Sequence, residues 1–303
     1  MATLTLMLID RQESRRTLPL LALLALLWGS VFMWIEIALR GMTPTQIVFG
    51  RSVFGAAVLV LLLRLRGESL PPRHLWAPIA VAAVFANVVP FALFAIGQQT
   101  VDSGFAGILN ATTPIWTLAV GYVSRVEPAV RPVRLLGLGV GLGGTVLVFG
   151  PWAEDGLVSW GAVAILGAAV SYAIAFVHTA RFLVGRGSSP VAVAAGQLAI
   201  ATLLSAALLP ITGGPIPTDL AAIAATIVLG ILGTGITLAL FVTLVAAEGP
   251  SRAASVVYLL PIVALSLGVI ALDEPVTPRV VAGMCLVLAG VALARQRDSL
   301  ART

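Results

Sequence analysis

The chain contains no lysine. Schiff-base chemistry and a phosphate-cradling P-loop both need one, so both are excluded. Cysteine is nearly missing as well. Cys285 stands alone in an apolar run, which rules out an intrachain disulfide and a thiolate metal cluster. Charged residues make up only 10% of the 303, and there are two histidines. No H-E-x-x-H or D-D-x-x-D pattern occurs, and Asp273-Glu274 and Glu154-Asp155 are sparse acidic pairs. A membrane enzyme that modifies lipids through a metal has no ligand set to work with here. No nucleotide-binding motif, soluble domain or long linker is present, so an ATP-driven pump in one chain is excluded, and no metal or cofactor is expected.

What is present is apolar. Hydrophobic residues make up 59% of the chain, and mean hydropathy is +1.05. A soluble domain of this length cannot bury so much apolar surface, so the composition predicts an integral membrane protein. The apolar runs are about 17–28 residues long, the length of a spanning helix. Ten-residue alternation of the barrel type is missing. The expected fold is all-α with ten transmembrane helices, at 18–39, 44–65, 74–97, 101–123, 133–150, 157–184, 190–211, 220–246, 250–271 and 278–295. Pro44, Pro132, Pro190 and Pro278 fall at first turns, where a missing N–H does no harm. The first run, of about 22 residues, is too long for a signal-peptide core and reads as a retained span.

The net charge of +5 would suggest nucleic acid in a soluble chain. Here all 18 positive residues are Arg, clustered in short gaps between apolar runs. With the N-terminus inside, fifteen lie on the cytoplasmic side and only Arg40 and Arg279 lie outside. That bias predicts an inner-membrane, multi-pass protein with both termini cytoplasmic. Arg51 lies within a span.

The sequence repeats itself. Pro114-Ile115, Leu118, Gly121, Glu127-Pro128, Pro132, Gly137, Leu142 and Gly144 return as Pro261-Ile262, Leu265, Gly268, Glu274-Pro275, Pro278, Gly283, Leu288 and Gly290. The offset is 147 residues, slipping to 146 at Pro132/Pro278. Two five-helix repeats, 18–150 and 157–295, are expected. An odd number of spans per copy makes the repeat inverted, the symmetry of transporters with alternating access.

Ionisable and polar groups at depth need partners or a purpose, since a charge at the helix centre costs roughly 2.5–3.5 kcal/mol on insertion scales. Glu36 and Arg51 flank one hairpin and can form an ion pair, either as a charge-handling site or as a hydrated lock. An offset of 142 sets Glu36 against His178, and 146 sets Arg51 against Gln197. His178 can carry a coupling proton or simply cap a helix end beside Arg181. Asn87 and Asn110 are amides that serve either a ligand or a neighbouring helix. Pro90 and Pro114 each free a carbonyl, which is best tolerated where backbone lines a cavity. Gly230, Gly233, Thr234, Gly235 and Thr237 form a soft polar stretch in the eighth span, and Tyr258 precedes Pro261 in the ninth. Small-residue stripes in the fifth and tenth spans predict close helix packing within the chain or in a homodimer. The Glu127 and Glu274 pairs with proline read as structural hinges.

These residues resemble the EamA-type transporters of the drug/metabolite transporter superfamily. The likeness covers about residues 20–295. It is carried by Trp28-Gly29-Ser30, Arg51, Asn87 with Pro90-Phe91, and Ala106 with the run from Leu109 to Pro114. It continues through Glu127 and Gly137, and through Ala254, Pro261, Glu274, Gly283 and Gly290. The second copy departs where Val170-Ser171-Tyr172 replaces Trp28-Gly29-Ser30, and where Val257 replaces Asn110. The resemblance implies a ten-helix basket around a central cavity, with spans 5 and 10 outside it. It also implies export of amino acids or related metabolites, often coupled to an ion gradient, here with protons as the candidate ion. The cavity candidates are Asn87, Phe91, Asn110, Trp116, Thr234, Thr237, Phe241 and Tyr258. The charge-handling candidates are Glu36, Arg51 and His178, and the hinge candidates are Pro90, Pro114, Pro261, Glu127 and Glu274. A passive channel and, behind it, an intramembrane lipid-modifying enzyme are the alternatives.

Overall fold

The computed structural model describes residues 19–101, 103–126, 132–149, 159–212, 214–260, 263 and 278–294. Among them every regular element is helical. In chain order these are α1 (Pro19–Leu39), α2 (Pro44–Arg66) and α3 (Arg73–Gly97). Next come α4 (Ser103–Asn110), α5 (Thr113–Val123) and α6 (Pro132–Phe149). Then follow α7 (Trp160–Phe182), α8 (Pro190–Thr212) and α9 (Leu220–Glu248). The last two are α10 (Pro250–Ala254), which tightens into a 3-10 turn over Ser255–Leu259, and α11 (Pro278–Ala294).

Six of these, α1, α2, α3, α7, α8 and α9, are long and apolar enough to cross a membrane. The other expected spans differ in detail. The fourth is broken between α4 and α5, because Pro114 has no N–H to give the Asn110 carbonyl; the Thr113 hydroxyl donates to that carbonyl instead, at 2.7 Å. The fifth and tenth are α6 and α11, whose apolar stretches Pro132–Leu147 and Val281–Leu293 are shorter. The ninth is described only as far as Leu260 and at Val263. Glu127, Pro261 and Glu274, read above as hinges, lie outside the described residues.

Helix starts are written in the sequence. Thr43 caps α2 by accepting from the Gln46 N–H, with Gln46 reaching back to the Thr43 N–H and Pro44 at the first position. Ser189 caps α8 by accepting from the Ala192 N–H at 3.1 Å, ahead of Pro190. Ser159 and Asp219 cap α7 and α9.

Two glycine-led contacts set the packing. α6 lies against α11 so closely that a Cβ on Gly144 would sit 2.6 Å from the Val287 nitrogen, and one on Gly290 would overlap the backbone of Gly141. The small-residue stripes therefore face each other within one chain. α2 meets α9 through Gly55, Gly230 and Gly235; a Cβ on Gly230 would stand 3.0 Å from the Arg51 carbonyl. This contact carries Arg51 into the interior.

Helices α3 and α9 each contain a π-helical turn, Val84–Val88 and Ile231–Ile236. The two turns start 147 residues apart, the spacing of the sequence repeat. In the first, Val89 N–H reaches back five residues to the Val84 carbonyl. The next bond in that register would need an N–H on Pro90. The orphaned Phe85 carbonyl accepts instead from Ser171 Oγ of α7 at 2.7 Å.

Candidate functional site

The two π turns open onto one internal cavity. Its lining comes from α1, α2, α3, α4, α5, α7, α9 and α10 with its 3-10 turn. Its volume is about 50 Å³, room for about four waters. A metabolite-sized ligand fits only when the walls part.

Periodicity explains the lining. Trp28, Phe32 and Ile35 share a face of α1, and Asn87, Phe91 and Phe94 share a face of α3. Thr234, Thr237, Leu238 and Phe241 do the same on α9, as Tyr172 and Phe176 do on α7. Asn110 and Thr113 come from the break between α4 and α5, and Val257 and Leu260 from the turn after α10.

These residues match across the repeat. At an offset of 147, Asn87 corresponds to Thr234, Phe91 to Leu238, Phe94 to Phe241, Asn110 to Val257 and Thr113 to Leu260. At 144, Trp28 corresponds to Tyr172 and Phe32 to Phe176. Every one of these fourteen lines the cavity. The ring contacts correspond as well. Trp28 meets Phe241 at 5.1 Å between centroids, as Tyr172 meets Phe94 at 6.1 Å. Phe32 meets Phe94 at 5.6 Å, as Phe176 meets Phe241 at 4.1 Å. All four pairs are tilted, and all but the tighter Phe176–Phe241 pair fall within the separations favourable for aromatic rings.

Two hydrogen bonds cross between the copies in the same sense. Arg51 Nε donates to Thr234 Oγ1 at 3.0 Å, and Asn87 Nδ2 donates to Gln197 Oε1 at 3.3 Å. Arg51 corresponds to Gln197 at 146 and Thr234 to Asn87 at 147. Arg51 is only 3% exposed, and its guanidinium carbon lies 3.5 Å from the centre of the Phe91 ring, a cation–π contact. The Thr234 hydroxyl in turn donates a hydrogen bond to the Leu229 carbonyl at 2.8 Å.

Of the sequence candidates, Asn87, Phe91, Asn110, Thr234, Thr237, Phe241 and Arg51 come together at the cavity. Four others do not. Trp116 is 40% exposed and its indole N–H donates to Thr112 Oγ1 one turn back. Tyr258 is fully buried behind the lining, its ring against Gly141 and its hydroxyl donating to the Leu138 carbonyl at 3.1 Å. Glu36 does not reach Arg51; it is half exposed and faces Arg40 at 3.8 Å. His178 Nε2 lies 3.0 Å from the Pro78 carbonyl, with its ring on Phe182. The offset of 142 that opposed Glu36 to His178 is not the one the cavity follows; at 144 the residue facing Glu36 is Ala180, and Tyr172 takes the place of Trp28. Trp28, Phe32, Phe94, Tyr172 and Phe176 were not among the candidates. For Trp28, Phe32, Tyr172 and Phe176 the signal is an aromatic spacing of four residues in α1 and α7, and for Phe94 it is the spacing of three from Phe91 in α3. Pro90 and Pro114 sit where carbonyls are freed beside the cavity. Among the described residues no cluster of His, Cys, Asp or Glu could hold a metal.

Long apolar helices around a cavity with buried polar groups define a multi-pass membrane protein of the transporter class. The chain belongs to the EamA-like transporter family, whose model matches twice, at residues 16–150 and 159–296. It is 29% identical to an uncharacterized inner membrane transporter, YedA, of Escherichia coli K12, over 84% of this chain and 83% of that one. It is 29% identical to the uncharacterized protein PA1977 of Pseudomonas aeruginosa over 92% and 94%, and 24% identical to the uncharacterized transporter YvbV of Bacillus subtilis over 93% and 92%. A crystallised protein shares the fold with a TM-score of 0.74 at 20% identity, over 91% of this chain and 94% of that one. These likenesses point to a transporter rather than an enzyme.

Proposed function

We propose that the chain is a secondary transporter that moves amino acids or related small metabolites out of the cell by alternating access around this cavity. In this reading the chain is two inverted five-helix repeats, 18–150 and 157–295, spanning ten times with both termini in the cytoplasm. The observation that carries it is the correspondence of cavity residues across the repeat, including the two cross-copy hydrogen bonds. Inverted copies let each half adopt the other's conformation, so one site is offered to each side in turn.

Arg51 lies seven residues into α2 and Gln197 seven into α8, each about 10 Å along its helix. In the inverted topology these helices start on opposite faces. Arg51–Thr234 then latches the outer side of the cavity and Asn87–Gln197 the inner side. Opening toward either face loosens one latch and keeps the other. The narrow cavity fits a conformation in which both are made. The proposal does not extend to a homodimer, because the glycine faces of α6 and α11 meet each other within one chain.

Proteoliposomes with the purified chain provide the test. Uphill accumulation of a metabolite, abolished by a proton uncoupler, is expected of a carrier coupled to protons. Flux that only dissipates the gradient and shows no saturation would identify a channel instead. Thiol labelling in a Cys285→Ser background, from Gly67 and Gly214, tests the topology; the two positions are expected to react from opposite sides.

A further inference from the structure

We infer that the cavity binds a small organic carboxylate, with Arg51 holding the carboxylate and the aromatic walls holding an apolar body. The inference deepens the transport reading and rests on it only for the claim that the bound molecule is carried.

Arg51 is almost fully buried and lines the cavity. A guanidinium has five N–H donors in a planar fork. Nε is used by Thr234, and one face by Phe91. No other acceptor meets the fork among the described residues, and no carboxylate lies within ion-pair distance of it. A buried cation without a counter-ion is strongly unfavourable, because its lost hydration is not repaid by a paired charge. The lining offers only neutral amides, hydroxyls and a phenol to offset it among the described residues. An anion that enters with the substrate removes that deficit, and a carboxylate matches the fork in a two-bond geometry.

The rest of the cavity selects the body of the ligand. Trp28, Phe241, Phe176, Tyr172, Phe94 and Phe32 form an unbroken succession of ring contacts around it. Such walls favour a flat or branched apolar group. A cationic ligand is disfavoured, since a second positive charge beside the buried Arg51 guanidinium is repelled by it. The carboxylate can belong to a simple organic acid or to an amino acid, whose ammonium would lie over a ring face.

Calorimetric titration of the purified full-length chain with four probes of one shape tests this. They are 3-phenylpropanoate, L-phenylalanine, 3-phenylpropanamide and 2-phenylethylamine. Saturable binding is expected for one or both carboxylates, with the amide and the amine weaker by roughly ten- to a hundred-fold, as for loss of a charge-assisted hydrogen bond. The tighter carboxylate tells an organic acid from an amino acid. Arg51→Gln is expected to lose the preference for acid over amide, and Arg51→Lys to keep part of it. Binding of the amide or amine as tightly as the acids, absence of binding by both acids, or an unchanged preference in a folded Arg51→Gln variant would overturn the inference. The wild-type comparison stands even where a variant fails to fold. Arg51-dependent binding without flux in proteoliposomes would refute the transport reading and leave the anion site in place. Flux of the amine but not of the acids would do the reverse.

Discussion

Asn87 and Thr234 occupy the same point of the repeat, 147 residues apart, each within a π-helical turn and each bonded to a residue of the opposite copy. A π turn widens the helix by one residue and re-aims the side chain it carries. Here it turns an amide and a hydroxyl toward one cavity and brings each within reach of α8 or α2. The two contacts differ in charge. Thr234 accepts from a cation, while Asn87 and Gln197 are both neutral.

That difference predicts unequal stability costs. Thr234→Val leaves the buried Arg51 with the Phe91 face but no acceptor from α9, and is expected to cost about 1.5–3 kcal/mol. Gln197→Leu removes a neutral partner from Asn87, which keeps a cavity face, and is expected to cost about 0.5–1.5 kcal/mol. Thermal or denaturant unfolding in detergent checks the order. Equal costs would mean that the charge on Arg51 is compensated elsewhere.

Pro90 and Ser171 form a second testable pair. Ser171→Ala orphans the Phe85 carbonyl and should destabilise by about 1–3 kcal/mol. Pro90→Ala supplies an N–H where the π register lacks one, so the carbonyl gains a partner in its own helix. In the Pro90→Ala background the cost of Ser171→Ala is expected to fall by at least half. A double-mutant cycle measures this coupling, and purely additive costs would refute the link between the proline and the hydroxyl.

The cavity was partly legible in the residues alone. Asn87, Asn110, Arg51 and Thr234 stood out because polar groups in an apolar run need partners. Phe32, Phe94 and Phe176 did not, because an aromatic side chain in a membrane helix has no cost to explain. Tyr172 was obscured by register. Prolines and glycines repeated within the chain align the later spans at 146 and 147, but α1 and α7 have no such markers, and a pairing at 142 falls two residues short of 144. Trp116 and Tyr258 stand outside the cavity lining for a geometric reason. Each lies close in sequence to true lining residues, but Trp116 turns outward on α5 and Tyr258 turns onto α6. The breaks at Pro114 and before Pro261 were foreseeable as soft points, whereas the π turns left no mark beyond Pro90 and a run of glycines.

The glycine stripe on α6 and α11 separates packing from propensity. A Cβ at position 290 meets the backbone of α6, whereas one at position 139 meets nothing within 4 Å. Gly290→Ala is expected to part the helices and cost about 1–3 kcal/mol. Gly139→Ala should be neutral or stabilising by up to about 1 kcal/mol, since alanine is the better helix former. Unfolding of the two variants side by side checks both signs. A tolerated Gly290→Ala would mean that α6 and α11 do not pack as described.

Glu36 and His178 are the last residues for which sequence and structure part company, and transport assays can decide between them. Glu36 is paired with Arg40 at 3.8 Å while half exposed, and pairs of that kind contribute about 0–1 kcal/mol. His178 meets a backbone carbonyl and Phe182 rather than the cavity. Glu36→Gln and His178→Gln are therefore expected to leave flux within about two-fold of wild type, with unchanged sensitivity to an uncoupler. Asn87→Ala and Asn110→Ala alter the cavity wall itself and are expected to lower flux by roughly ten-fold or more, by analogy with other polar contacts to a bound ligand. If the asparagine variants transport normally, the cavity is not the substrate site. If His178→Gln alone abolishes the uncoupler effect, a proton is handled on the far face of α7, away from the cavity, and coupling must reach the cavity through that helix.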